Sequence, residues 1–196
     1  MKKIIAFIGM GLLYGQLHAA VPVKLELTSP DGNQCVSFYG KQDASGRNGI
    51  FYKILYKGQT VLAESRAGLD LDNRVWEKAL GKRQIQQPDC WMDNLEVDSV
   101  SYAERDTTWH PLYGERSTIR DCYKSGVLYL SKKDGSDYRM NVEVRAYDEG
   151  IAFRYFFPEH PQAIFHKVVK DLTEYTFPAN TRAWAEQWAQ GPFEHT

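Results

Sequence analysis

Hydrophobic and polar residues alternate with a period of two along much of this chain. Met140, Val142, Val144 and Ala146 fall on one side of an extended run, and Asn141, Glu143 and Arg145 on the other. After Asp148-Glu149-Gly150, Ile151, Phe153, Tyr155 and Phe157 alternate again. Two alternating runs around a short Gly-containing turn predict a β-hairpin, with Phe153 and Tyr155 on one face and Arg154 on the other. Val23–Leu27 and Gln34–Tyr39 repeat the pattern around Ser29-Pro30-Asp31-Gly32-Asn33. In that stretch Pro sets φ, and Gly or Asn accepts positive φ. Gly49–Tyr56 and Thr60–Ala63 flank Lys57-Gly58-Gln59, and Leu95–Tyr102 and Val127–Leu130 continue the series. Many short strands punctuated by turns predict an all-β fold, an antiparallel β-sandwich with little helix. Helical signals are weak: Val75–Leu80 lasts less than two turns, and Arg182–Ala189 is ambiguous.

The first twenty residues stand apart from this pattern. Lys2 and Lys3 precede an apolar run from Ile4 to Tyr14, and Leu17-His18-Ala19 offers a small-residue cleavage site. Residues 1–20 therefore read as a secretory signal peptide, which implies export across the inner membrane to the periplasm. The run is too short to span a bilayer as a helix, so no membrane span is expected. Residues 21–196 form the domain, long enough for one real core.

Composition narrows the function classes. The chain has 24 Lys plus Arg and 25 Asp plus Glu; without Lys2 and Lys3 the count is 22 against 25, a formal charge of −3. So small a charge offers no electrostatic footprint for nucleic acid. Cys35, Cys90 and Cys122 are too few for a disulfide-stapled scaffold, and leave open either one bridge with a spare thiol or buried thiols throughout.

Candidate chemistry is sparse. Asp70-Leu71-Asp72-Asn73 suggests a calcium loop, but Arg74 and Val75 occupy positions where that loop needs an oxygen ligand and a glycine, so a solvated turn is expected. His160 and His166 lack the cysteine pair of a zinc site and read as surface histidines. Carboxylates are plentiful, but a glycosidase acid/base pair is defined by separation in space, which linear spacing does not give.

Two stretches are richer. Trp109-His110-Pro111-Leu112-Tyr113-Gly114-Glu115 gathers aromatics, Pro and Gly into a loop that either stacks on sugar rings or packs against the sandwich or a neighbouring domain. The tail holds Trp184 and Trp188 around Glu186, then Phe193 and Glu194. Polar, mobile residues usually end a chain, so this tail reads as a site that following residues would complete, and the chain as the front of a longer protein.

With these residues in view the chain resembles the N-terminal β-sandwich domain of glycoside hydrolase family 97, the α-glucosidase and α-galactosidase family of starch utilisation. The matching stretches are Leu27–Gly32, Trp109–Glu115, Asp148–Pro158 and Ala183–Glu194. The resemblance implies a sandwich of the galactose-mutarotase-like supersandwich type, followed in the family by a catalytic (β/α)₈ barrel and a C-terminal β domain. It implies an α-linked oligosaccharide as the parent enzyme's substrate and the missing barrel as this domain's partner. It also implies that the barrel's carboxylates do the chemistry, so this chain is not expected to be active alone. A calcium ion assists the full-length enzymes, and Glu194 is the position that looks like this domain's ligand. A hard cation needs several oxygens, so no tight calcium site is expected in this chain alone. Trp109, Tyr113, Trp184 and Trp188 are the carbohydrate-binding candidates. The alternative reading is a free-standing carbohydrate-binding module built on them.

Overall fold

A computed structural model describes residues 23–72, 89–133, 135–161 and 166–182. Eleven strands occur there and no helix: β1 (Lys24–Thr28), β2 (Gln34–Gln42), β3 (Asn48–Tyr56), β4 (Gln59–Ala67), β5 (Leu69–Leu71), β6 (Cys90–Trp91), β7 (Leu95–Trp109), β8 (Ile119–Lys132), β9 (Arg139–Ala146), β10 (Ile151–Phe156) and β11 (Val168–Asp171). They form a sheet of order β1-β2-β3-β4, a second of order β10-β9-β8-β7, and a small third of order β11-β5-β6, all antiparallel.

The alternation seen in sequence decides which side chains meet. Leu25 and Leu27 of β1, Val36 and Phe38 of β2, and Ile50 and Tyr52 of β3 face Leu128, Leu130, Met140, Val142, Val144 and Ala146 of β8 and β9 in one apolar core. This is the expected antiparallel sandwich. β9 and β10 pair as a hairpin, with Ala146 opposite Ile151, Val144 opposite Phe153 and Val142 opposite Tyr155. Phe153 packs its ring on Phe38 and Tyr52, with both centroid distances 5.3 Å. Arg154 points to the other face and donates to Glu143 at 2.6 Å. The third sheet caps one end of the core with Leu69, Leu71 and Trp91, and Phe157 meets Trp91 edge-on at 5.5 Å.

The turns follow their residue chemistry. In Ser29–Asn33 the Asp31 carboxylate accepts from the Ser29 hydroxyl at 2.5 Å and the Asn33 N–H at 2.9 Å, while Gly32 takes φ 79°. Lys57 and Gly58 both take positive φ (49° and 77°), which matches the twist of a tight hairpin between β3 and β4. Gly68 joins β4 to β5 where the chain passes Trp91 and Met92 so closely that a Cβ would lie 2.7 Å from Met92 Cα and from the Trp91 carbonyl oxygen. Lys132 is nearly buried and donates to the carbonyls of Cys90 (2.7 Å) and Asp93 (2.5 Å), tying β8 to the third sheet.

Several expectations need correction. Asp70 does not sit in a solvated turn: it lies in β5, opposite Cys90 of β6 and Lys170 of β11. The histidines are not surface residues. His160 stacks on Tyr138 at 4.3 Å, and His166 on Phe157 at 4.1 Å, both half-buried. The three cysteines are unbridged and half-buried. β7 and β8 run well past the expected Leu95–Tyr102 and Val127–Leu130. Val75–Leu80, and Arg182–Ala189 apart from its first residue, lie outside the described residues.

Candidate functional site: the β7–β8 arm

β7 and β8 stay in register from Leu95 opposite Lys132 to Trp109 opposite Ile119. β9 supports β8 only from Lys124 to Ser131. The pairs from Arg105–Tyr123 to Trp109–Ile119 therefore have no third strand, and form a two-stranded arm roughly 17 Å long at about 3.4 Å per residue. Isolated two-stranded hairpins are marginal in water, and polar side chains brace this one. Arg120 donates to both carboxylate oxygens of Asp106, at 2.8 and 2.6 Å. Those hydrogen bonds hold the Asp106 carboxyl below its ordinary range and the Arg120 guanidinium above its own. At the root Tyr123 is buried, stacked obliquely on Tyr147 at 5.0 Å, with the Arg145 guanidinium 4.7 Å over its ring.

The loop after β7 is pinned at its base. His110 Nδ1 lies 2.9 Å from the Ser117 carbonyl oxygen and 3.3 Å from the Thr118 hydroxyl. Gly114 takes φ 129°, a conformation that side chains avoid. Beyond that base the apolar groups face outward: Trp109 is 51% exposed, Tyr113 91% and Leu112 100%. The loop does not pack against the sandwich, as one of the two sequence readings had it. Trp109 and Tyr113 share one tip, on a convex surface with no lining to enclose a ligand. The other candidates, Trp184, Trp188 and Glu194, lie outside the described residues.

The described carboxylates are engaged in ion pairs. Glu143 sits between Arg145 and Arg154, at 2.8 and 2.6 Å. Burial pushes Glu143 up, but the two guanidinium groups outweigh it and hold the carboxyl below its usual range. Asp43 and Asp93 are bridged by Arg47 and Arg66. Among the described residues no three His, Cys, Asp or Glu side chains converge to hold a metal ion, so these residues by themselves do not fit a calcium site.

A second feature lies at the open edge of the sandwich. Phe153 and Tyr155 of β10, Tyr52 of β3, Val61 of β4, and Tyr175 and Phe177 line a mainly apolar groove of about 680 Å³. The period-two spacing of Thr173, Tyr175 and Phe177 is the sequence signal that marks its far wall.

Residues 27–195 match the family model described as glycosyl-hydrolase 97 N-terminal. A retaining alpha-galactosidase of Bacteroides thetaiotaomicron is 28% identical over 157 residues, which cover 80% of this chain and 19% of that protein. A glycoside hydrolase family 97 enzyme from Pseudoalteromonas sp., solved in complex with panose, superposes with a TM-score of 0.62 at 22% identity, over 79% of this chain and 20% of its own. A beta-arabinopyranosidase crystal structure gives the same TM-score at 19% identity, over 79% of this chain and 21% of its own. The chain thus spans about a fifth of the length of these relatives. The two solved structures share its fold.

Proposed function

The chain belongs to the glycosyl-hydrolase 97 N-terminal family, and from that premise we propose that it is the non-catalytic front domain of a secreted α-glycoside hydrolase. Its role is to buttress the catalytic barrel and help shape the mouth of the carbohydrate site. The observation that carries this reading is the β7–β8 arm, a braced hairpin whose tip presents Trp109, Leu112 and Tyr113 to solvent. Clustered exposed apolar side chains mark interaction surfaces. The carboxylates support the non-catalytic half of the reading. Every one whose titration departs from its ordinary value, Glu26, Asp31, Asp43, Glu64, Asp106 and Glu143, is shifted down. A glycosidase general acid needs the opposite shift.

The substrate class is an α-linked oligosaccharide, bound mainly by the barrel. Glu194 is this domain's contribution to a calcium ion shared with the barrel, which supplies the remaining oxygens. Residues 1–20 direct export, so the working location is the periplasm; N-terminal sequencing of the exported protein is expected to begin near Val21.

The domain joined to its barrel provides the test. Trp109→Ser with Tyr113→Ser should lower the melting temperature of the joined protein and leave that of the isolated chain unchanged, because the tip touches nothing within this domain. Equal melting temperatures for the joined protein with and without the substitutions would sink the buttress. Turnover of a nitrophenyl α-galactoside or α-glucoside by the chain alone would sink the non-catalytic assignment.

The exposed rings at one tip also favour a second reading, a carbohydrate-binding module that stacks sugars on Trp109 and Tyr113. Titration with maltooligosaccharides and galactosides, followed by tryptophan fluorescence, separates the two. A flat response at millimolar sugar removes the module.

A further inference from the structure

The groove at the edge of the sandwich has an occupant close at hand in the chain itself. Its far wall, residues 172–177, runs along β4: Leu172 N–H donates to the Gly68 carbonyl at 3.0 Å, Glu174 N–H to the Arg66 carbonyl at 2.8 Å, and Ala63 N–H to the Thr176 carbonyl at 2.8 Å. The even-numbered residues thus face β4. In an extended segment the backbone groups of alternate residues point to opposite sides, so those of Tyr175 and Phe177 point to the open side, where they have no backbone partner among the described residues. The side chains of Asp171, Thr173, Tyr175 and Phe177 turn into the groove.

The chain then reverses. Thr181 donates to the Pro178 carbonyl from its N–H at 3.2 Å and from its hydroxyl at 2.7 Å, and Asn180 takes φ 65°, which completes a tight turn. Whatever follows Arg182 is aimed back along the open side of 172–177.

We propose that residues 183–190 occupy this groove as an added antiparallel strand, with Trp184 and Trp188 packed inside it. In the register the turn sets, 182 faces 177, 184 faces 175, 186 faces 173 and 188 faces 171. Directly opposed residues share a face of a sheet, so Trp184, Glu186 and Trp188 fall on the groove side. Trp184 then meets Tyr175 and Phe153. Glu186 meets the one polar spot in the groove, where the Tyr155 and Thr173 hydroxyls lie 2.6 Å apart. Trp188 meets Asp171, whose carboxylate can accept the indole N–H. Eight residues of strand span about 27 Å, enough to run the length of 171–177.

This arrangement covers a groove walled by half-exposed Val61, Tyr175 and Phe177, and caps an edge that would otherwise invite pairing with another chain. It also makes Trp184 and Trp188 packing residues rather than sugar platforms. It holds whether or not the domain buttresses a barrel, because it concerns contacts within this chain alone.

Two measurements on the full chain test it. Hydrogen exchange at the Tyr175 and Phe177 amides should be at least about tenfold slower than at the Tyr113 amide of the exposed loop, after correction for sequence, and that difference should vanish in the Trp184→Ser, Trp188→Ser variant. The pair Tyr175→Cys and Trp184→Cys should close a disulfide within one chain on oxidation. The pair Tyr175→Cys and Ala185→Cys, whose second side chain points away, should not; these disulfides need no serine variant to fold. Unprotected Tyr175 and Phe177 amides in the unaltered chain would overturn the proposal. So would protection that grows with protein concentration together with 175–184 cross-links between chains, which would assign the groove to a second copy.

Discussion

Phe153 is where the alternation read from the sequence becomes a measurable energy. Its ring touches Phe38 and Tyr52 at 5.3 Å each, and Tyr155 at 6.0 Å, while one flank opens to the edge groove. An aromatic side chain of this size buries on the order of 150 Å², which at about 25 cal/mol per Å² amounts to about 3.8 kcal/mol for full burial. The open flank lowers that to about 2–3 kcal/mol, and the two close ring contacts contribute about 0.5–1.5 kcal/mol each beyond area. Phe153→Ala should therefore cost about 3–4 kcal/mol, in the usual range for Phe-to-Ala changes at core positions. Arg154→Ala is the control. Its neighbour on the strand is mostly exposed and pairs only with Glu143, so its loss should cost less than about 1 kcal/mol. Urea unfolding followed by far-ultraviolet circular dichroism reads both. With a slope near roughly 2 kcal/mol per molar, Phe153→Ala should move the midpoint by about 1.5–2 M at unchanged slope. A shift below about 0.5 M, or one matched by Arg154→Ala, would refute the assignment of faces on β10.

Two further predictions concern turns. Gly68→Ala places a methyl 2.7 Å from Met92 Cα and from the Trp91 carbonyl oxygen, where backbone cannot give way, and should cost about 3 kcal/mol in the same assay; Gly58→Ala, with no atom within 4 Å, should cost only the left-handed strain, about 1 kcal/mol. The Asp31 carboxyl is held down to about 2 by the Ser29 hydroxyl and then the Asn33 N–H, so its contribution to stability is complete above the ordinary carboxyl value and is lost as pH falls from about 4 through about 2. Asp31→Asn should flatten the stability profile in that window, and an unchanged profile would place the acid sensitivity elsewhere.

How much of the fold the sequence carried depended on where water lies. Met140–Ala146 and Ile151–Phe157 were legible because one face of each strand meets the core, so alternation of apolar and polar residues records the two faces directly. The far halves of β7 and β8 were not. From Ala103 to Thr108 every side chain is exposed, and a strand with water on both faces has no reason to alternate. Ala103-Glu104-Arg105-Asp106-Thr107-Thr108 accordingly reads as loop, although Arg120 and Asp106 hold it in register. β5 was missed for another reason. Its three residues are too few to show a period, and Asp70-Leu71-Asp72 imitates a ligand loop.

The histidines and the groove failed by a third route, because both depend on partners far away in sequence. Nothing adjacent to His160 or His166 announces the Tyr138 and Phe157 rings that half-bury them. Each wall of the groove likewise looks like an ordinary strand face until β4, β10 and residues 172–177 are brought together. The tip of the arm was the reverse case: Trp109, Leu112 and Tyr113 were legible as a cluster, since they lie within five residues of one another. What the sequence left open was whether that cluster points into the sandwich or away from it, and the length of the unsupported arm decides this. Five residue pairs beyond the last contact with β9 carry the tip clear of the domain's own core, so the apolar groups there stay in water unless something outside this domain covers them. The rest of the enzyme and a bound sugar are the two candidates, and only the first gives a reason for an arm of that reach: a sugar platform needs a face, which the sheet already offers, whereas a buttress needs to extend.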